Sequence, residues 1–242
     1  HLPPIRTHTM VDTPQSLSMP GLEDGRKADE PCTIVIFGAS GDLTARKLIP
    51  ALYHLYTEGQ MPASFRVVGF ARREKTDESW REEMRVGIEK YSRTSSVDAA
   101  QWQDFANNLS YHRGDLTDAD AYGGLAGRLA GFDDAALTGN LVFYLAISPS
   151  LFGEVVDQLH AAGLLKRFEE GDSNWQRVVV EKPFGQDRRS AQLLNNHLIR
   201  HARERQIFRI DHYLGKELVM NLLVLRFANV CFGAVWNRQH IK

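Results

Sequence analysis

Asp211, His212, Tyr213 and Lys216 bring a carboxylate, an imidazole, a phenol and an ammonium into one short run, Arg209-Ile210-Asp211-His212-Tyr213-Leu214-Gly215-Lys216, after an apolar segment. The basic members, His212 and Lys216, suit a phosphate dianion, and Asp211 can orient an imidazole that serves as a base. Any two of these residues read equally well as a surface ion cluster where a strand enters a helix. Four convergent polar groups in the crevice position of an α/β sheet favour a site.

A second anion site is spelled out near the start of the chain, in Ile36-Phe37-Gly38-Ala39-Ser40-Gly41-Asp42-Leu43-Thr44. Gly38 and Gly41 let the backbone turn tightly and approach a pyrophosphate without a Cβ in the way. A helix after that turn would aim unpaired N–H groups and its positive dipole end at the anion. The pattern is GxxG, with Thr44 where a third glycine could stand, and its meaning depends on a strand before it and a helix behind it.

The next apolar run ends Gly69-Phe70-Ala71-Arg72-Arg73. An acidic residue here would bond ribose hydroxyls, whereas an arginine suits the 2′-phosphate of NADP. Adjacent side chains point apart, so only one of Arg72 and Arg73 should engage fully; a solvated arginine pair is the bland alternative. Further on, Val180-Glu181-Lys182-Pro183-Phe184-Gly185 puts a lysine at a strand's carboxyl end, within reach of a sugar hydroxyl, and the X–Pro bond at such a turn can be cis. The alternative is a strand-ending turn with an exposed lysine. His197 and His201 have i, i+4 spacing but lack a glutamate after the first, so they read as an exposed helix face and no metal is expected. Cys231 reads as core. No tyrosine is followed four residues later by lysine, which argues against the short-chain dehydrogenase mechanism.

These groups need a scaffold, and the hydrophobic pattern supplies one. Strands are predicted at Thr33 to Phe37, Phe65 to Phe70, Leu109 to His112, Leu141 to Ile147, Val178 to Val180 and Ile207 to Ile210, most of them continuously apolar as in sheets covered on both faces. Helices are predicted at Leu43 to Glu58, Glu78 to Tyr91, Ala119 to Ala130, Leu151 to Ala162, Arg188 to Arg205 and Lys216 to Phe227, with Asp187 as an N-cap and Gly163 as a stop. This alternation implies an α/β, Rossmann-like, doubly wound and mainly parallel sheet. The expected organisation is a flexible arm over 1–31, an NADP-binding domain over 32–209 and the start of a truncated α+β domain over 210–242.

Hydrophobic residues at 43% and charged residues at 24% fit a soluble globular chain, and a net charge of −1 offers no field for nucleic acid or an anionic membrane. The apolar runs are too short to span a bilayer, and the first thirty residues carry no signal-peptide core. Two widely separated cysteines suit a reduced, cytoplasmic setting.

Taken together, the strings Gly38-Ala39-Ser40-Gly41-Asp42-Leu43, Gly69-Phe70-Ala71-Arg72, Phe143-Tyr144-Leu145-Ala146, Glu181-Lys182-Pro183-Phe184-Gly185, Arg209 to Lys216 and Leu225-Arg226-Phe227-Ala228-Asn229 closely resemble the glucose-6-phosphate dehydrogenase family. They run in that family's order over essentially all of residues 32 to 242. The Arg209 to Lys216 string is the specific one; the glycine turn is not. The resemblance implies that Gly38, Ala39, Ser40, Gly41, Asp42, Leu43, Thr44 and Ala45 line the NADP phosphates, that Arg72 takes the 2′-phosphate and that Tyr144 borders the cofactor. Lys182 would touch substrate and cofactor, and His212, Tyr213 and Lys216, with Leu214 and Gly215 between them, would hold the 6-phosphate of glucose 6-phosphate. The implied reaction moves hydride from C1 to NADP and yields the 6-phosphogluconolactone.

Two departures stand out. Ile147-Ser148-Pro149 replaces a frequent Leu-Pro-Pro, with little chemical consequence expected. The family's catalytic histidine, its partner aspartate and further phosphate-binding lysines lie downstream, in a large antiparallel-sheet domain that also makes the homodimer or homotetramer. The expectation is therefore an N-terminal half that binds NADP without turnover by itself. The competing readings are a nucleotide-binding fragment as such and another sugar oxidoreductase with a Glu-Lys-Pro element.

Overall fold

The computed structural model describes residues 30–91, 97–169, 171–185 and 187–211, with 221, 222, 224–226, 236, 238 and 240. The chain falls into two compact units, one of Lys27–His212 and one of His1–Arg26 with Tyr213–Lys242. In the second of these, the described residues 221, 222 and 224–226 are helical; the rest of the helix predicted from Lys216 lies outside the described residues.

The Lys27–His212 unit is built on six strands: β1 (Cys32–Phe37), β2 (Phe65–Ala71), β3 (Leu109–Arg113), β4 (Leu141–Leu145), β5 (Gln176–Glu181) and β6 (Ile207–Ile210). They lie in the order β3-β2-β1-β4-β5-β6, and all five pairings are parallel. This is the doubly wound order, whose direction reverses between β1 and β4 and opens a crevice at the strands' carboxyl ends.

Alternate residues of each strand feed two cores. On one face Ile36 and Val67 pack with α1 (Ile49–Thr57), α2 (Asp77–Tyr91) and α3 (Ala99–Ala106), around Trp80, Met84 and Phe105. On the other, Val35, Phe37, Phe70 and Phe143 pack with α4 (Ala119–Ala130), α6 (Phe152–Ala161) and α7 (Arg188–His201). A short α5 (Ala135–Gly139) sits under β1, where the buried Thr33 hydroxyl donates to the Leu137 carbonyl at 2.7 Å.

Several predicted boundaries move for local reasons. The first helix begins as a π-helical turn, Thr44–Leu48, and becomes α1 at Ile49. Pro50 can offer no N–H to the carbonyl four residues back, which favours the wider turn there. Strand β4 stops at Leu145, and Pro149–Leu151 forms a 3₁₀ turn before α6. Helix α7 ends at His201, short of Arg205, because Ala202 is extended and buried and Gln206 is fastened in place. The Gln206 side chain accepts from the N–H groups of Phe168 and Arg203 and donates to the carbonyls of Lys166 and Gln176, at 2.8–3.0 Å. Both signals named from sequence hold. Asp187 caps α7 in a box with Ser190, and Gly163 closes α6 at φ +73°.

Helices α3 and α5 were not expected. Each is short, so its periodicity is weak, yet each carries an aspartate N-cap: Asp98 accepts from Gln101 N–H and Asp134 from Ala136 N–H. Among the described residues, no helix is long and apolar enough to cross a membrane.

Candidate functional site

Strand register decides which loops meet. Phe37 pairs with Phe70 in β2 and with Leu145 in β4, so Gly38 leaves the sheet beside Ala71 and Ala146. There is no room there for a side chain: a Cβ on Gly38 would stand 2.3 Å from the Ala146 carbonyl oxygen, and φ is +87°. The turn is fastened by Gly38 N–H and Ala39 N–H, which both donate to the Phe70 carbonyl at 2.9 and 3.2 Å, and by Gly41 N–H, which donates to the Gly38 carbonyl at 2.8 Å. Behind it, the buried Thr44 hydroxyl donates to the same Gly38 carbonyl at 3.3 Å and Trp80 Nε1–H donates to the Ala39 carbonyl at 3.1 Å. A strand precedes this turn and a helix follows, so the GxxG pattern has the context it requires.

The remaining residues of the turn serve different ends. Ala39 is buried in the core. Asp42 is exposed and forms an ion pair with Arg46 at 2.7 Å. Ser40 and Leu43 are half-buried at the rim, and Ala45 donates its N–H to the Gly41 carbonyl at 3.4 Å. The arrangement fits a dinucleotide pyrophosphate: the turn follows a strand, is exposed at Gly41 and Asp42, and opens a helix.

Arg72 is exposed at the end of β2 and lines a cavity of about 470 Å³ with Gly38, Ala71, Asp115, Leu116, Thr117 and Leu151. A neighbouring cavity of about 370 Å³ shares Arg72 and Asp115 and adds Arg113, Gly114, Asp118 and Ala121. Arg73 goes elsewhere, with Nη1 3.5 Å from the Ser40 carbonyl. Asp115 is held below the usual carboxylate range by hydrogen bonds from the Thr117 N–H and hydroxyl, with a smaller contribution from the Arg72 guanidinium. The Asp115–Thr117 loop and Arg113 were missed from sequence, although a loop at the carboxyl end of β3 is where the crevice rule points.

Lys182 and Asp211 come together by register as well. Glu181 pairs with Ile210, so the residues that follow leave β5 and β6 side by side, and Lys182 Nζ forms an ion pair with Asp211. Lys182 is half-exposed and Asp211 largely covered. The Lys182–Pro183 peptide bond is cis. Tyr144, half-buried in β4, donates its hydroxyl to Glu181. Burial first, and then the Glu181 hydrogen bond and charge, push the phenol well above its ordinary range, so it remains a donor. Glu181 was quoted in its motif without a role, and its side chain shows one.

His212, Tyr213, Leu214, Gly215 and Lys216 lie outside the described residues. His197 and His201 depart from the expected exposed face. Both are half-buried against α6, where each Nε2 lies 2.8 Å from an Asp157 carboxylate oxygen.

With this geometry in view, comparison with known proteins identifies the chain's relatives. Residues 35–221 match the family described as glucose-6-phosphate dehydrogenase, NAD binding domain. The chain is 43% identical over 212 residues to the glucose-6-phosphate 1-dehydrogenase of Chlamydia muridarum, an overlap covering 87% of this chain and 42% of that one. It is 46% identical over 213 residues to that of Aggregatibacter actinomycetemcomitans, covering 88% and 42%. A solved glucose-6-phosphate dehydrogenase in complex with its substrate glucose-6-phosphate superposes with a TM-score of 0.74 at 38% identity, over 87% of this chain and 42% of the other. The chain thus spans well under half the length of these relatives. On this fold, this site and these matches, the chain belongs to the glucose-6-phosphate dehydrogenase family.

Proposed function

We propose that this chain is the coenzyme-binding half of an NADP-dependent glucose-6-phosphate dehydrogenase, oxidising glucose 6-phosphate at C1 to the 6-phosphogluconolactone. The observation that carries the reading is the meeting of Lys182 and Asp211 on the same carboxyl edge of the sheet as the Gly38 turn. NADP, when bound, supplies the hydride acceptor. The Gly38–Ala45 turn receives the pyrophosphate, Arg72 the 2′-phosphate, and Asp115 is placed to accept from adenosine donors beside it. Tyr144, protonated and anchored by Glu181, borders the cofactor. Lys182 donates to the sugar, and Asp211 orients the base that takes the C1 hydroxyl proton.

In this reading His212, Tyr213, Leu214, Gly215 and Lys216 supply the site for the 6-phosphate. The coenzyme-binding domain begins near residue 32 and keeps β6 whole, and the second domain begins after Asp211. The protein would work in the cytoplasm, at the entry to the oxidative pentose phosphate pathway, as a homodimer or homotetramer. A polypeptide limited to these 242 residues should bind NADP yet turn over no substrate, since the family's catalytic histidine lies downstream in its longer members.

The test uses a full-length enzyme carrying these residues. Lys216→Ala should raise KM for glucose 6-phosphate far more than KM for free glucose. An equal change for both sugars, or none, would remove Lys216 from the phosphate site.

A further inference from the structure

Away from the crevice, α6 and α7 bring together three potential metal ligands that the dehydrogenase reading does not use. His197 and His201 are one helical turn apart on α7, so both imidazoles face the same way. Asp157 on α6 meets them, with one carboxylate oxygen, Oδ1, 2.8 Å from each Nε2. The three ligand atoms all lie within 4.8 Å of one another. Room for this convergence comes from Gly153, one turn before Asp157. A Cβ there would already stand 3.3 Å from the His197 ring, and any longer side chain would displace it. The His160 ring follows, its centroid 4.4 Å from that of His201.

We propose that Asp157, His197 and His201 form a binding site for a divalent first-row transition ion of the zinc class, clamping α6 to α7. Two imidazoles and one carboxylate are a borderline donor set, which selects zinc, cobalt or nickel over magnesium or calcium. Bonds of about 2.0–2.2 Å at tetrahedral angles put ligand atoms about 3.4 Å apart, so each N···O separation must open from 2.8 Å and the two nitrogens, which lie within 4.8 Å, must settle at the same distance, in side chains that are 22–45% exposed. That exposure also gives an ion an entry path and leaves water to complete its coordination. On binding, each imidazole loses the Nε2 proton that it donates to Asp157, takes one up from solvent at Nδ1, and gives the freed Nε2 lone pair to the ion. The residue after His197 is the buried Leu198 and not the acid that a helical His-Glu-x-x-His zinc site uses to activate water, and the role proposed is a clamp.

The experiment is calorimetric titration of the chelator-treated 242-residue chain with zinc chloride, repeated on Asp157→Asn, His197→Gln and His201→Gln. Wild type should show a one-to-one site, and each variant should bind at least about tenfold more weakly, the loss that follows even when an outer partner of a ligand is removed. Cobalt should give the intense visible bands of a four-coordinate ion with wild type and lose them with either histidine variant. Circular dichroism keeps a misfolded variant from passing as a positive result, because only variants with the wild-type spectrum are compared. Zinc binding unchanged in folded variants, or absent in wild type, would overturn the proposal. In that case Asp157 would simply accept imidazole N–H groups and pin the two helices.

Discussion

On the proposed reading Arg72 sets the cofactor choice, because its guanidinium lines the cavity next to the glycine turn while Arg73 reaches back to Ser40. A charge-assisted contact to a phosphate is worth roughly 1.5–3 kcal/mol, so Arg72→Ala should weaken NADP binding by about one to two orders of magnitude. NAD, without the 2′-phosphate, should lose far less. Fluorescence titration of both nucleotides on the variant checks this, and equal losses would move the 2′-phosphate elsewhere. Lys182 differs in kind, since its partner Asp211 is part of the same proposed machinery. In a full-length enzyme Lys182→Ala should lower kcat as well as raise KM, because a sugar misplaced at C1 presents its hydride poorly. If steady-state constants stayed put and only the melting temperature fell, Lys182 would be a structural ion-pair partner.

Elements decide where such residues stand, and two of them can be probed directly. Gly38 joins β1 to the turn with positive φ and a carbonyl oxygen where a Cβ would be. Gly38→Ala should therefore cost at least about 1–2 kcal/mol for the backbone alone, readable in urea unfolding, and should abolish nucleotide binding in whatever fraction still folds. On β3, His112 lies half-buried beside Phe70, with Nε2 2.9 Å from the Ala121 carbonyl on α4. That carbonyl accepts, so the ring carries its proton on Nε2. Burial lowers its pKa, against the hydrogen bond to Ala121, and the Arg128 charge lowers it further. A depressed pKa means that the stabilisation is complete above the unfolded value of about 6.5 and is lost as pH falls below it, toward the folded value. Unfolding free energy should thus drop as pH falls below about 6.5, and His112→Gln should flatten that slope; an unchanged slope would place the titration in other groups. The elements themselves were largely legible. Continuous apolar strands, Asp187 before α7 and Gly163 after α6 each state a local preference that tertiary packing shares. Where local and distant demands differ, the reading failed: α7 stops early because Gln206 is tied to the Lys166–Phe168 segment and to β5, and α3 and α5 are too short for their periodicity to register against the loops around them.

At the scale of the whole molecule, function depends on six carboxyl ends pointing one way, and the sequence carried that only indirectly. The glycine turn, Arg72 and Lys182 were legible because each closes a strand with a residue that the strand does not need. Asp115 and Arg113 were not, since nothing in their own neighbourhood says that β3 lies next to β2 at the crevice. Glu181 was hidden for the converse reason: its partner Tyr144 is close only through the β4–β5 register. The same logic brought Asp157 to His197 and His201, a grouping that spacing along one helix could not foresee. The most direct test of the account is the affinity of the 242-residue chain for the two nicotinamide coenzymes, measured by calorimetry at fixed salt. Saturable one-to-one binding of NADP, about ten- to a hundredfold tighter than binding of NAD, is expected. Equal affinity, a preference for NAD or no saturable binding would contradict it.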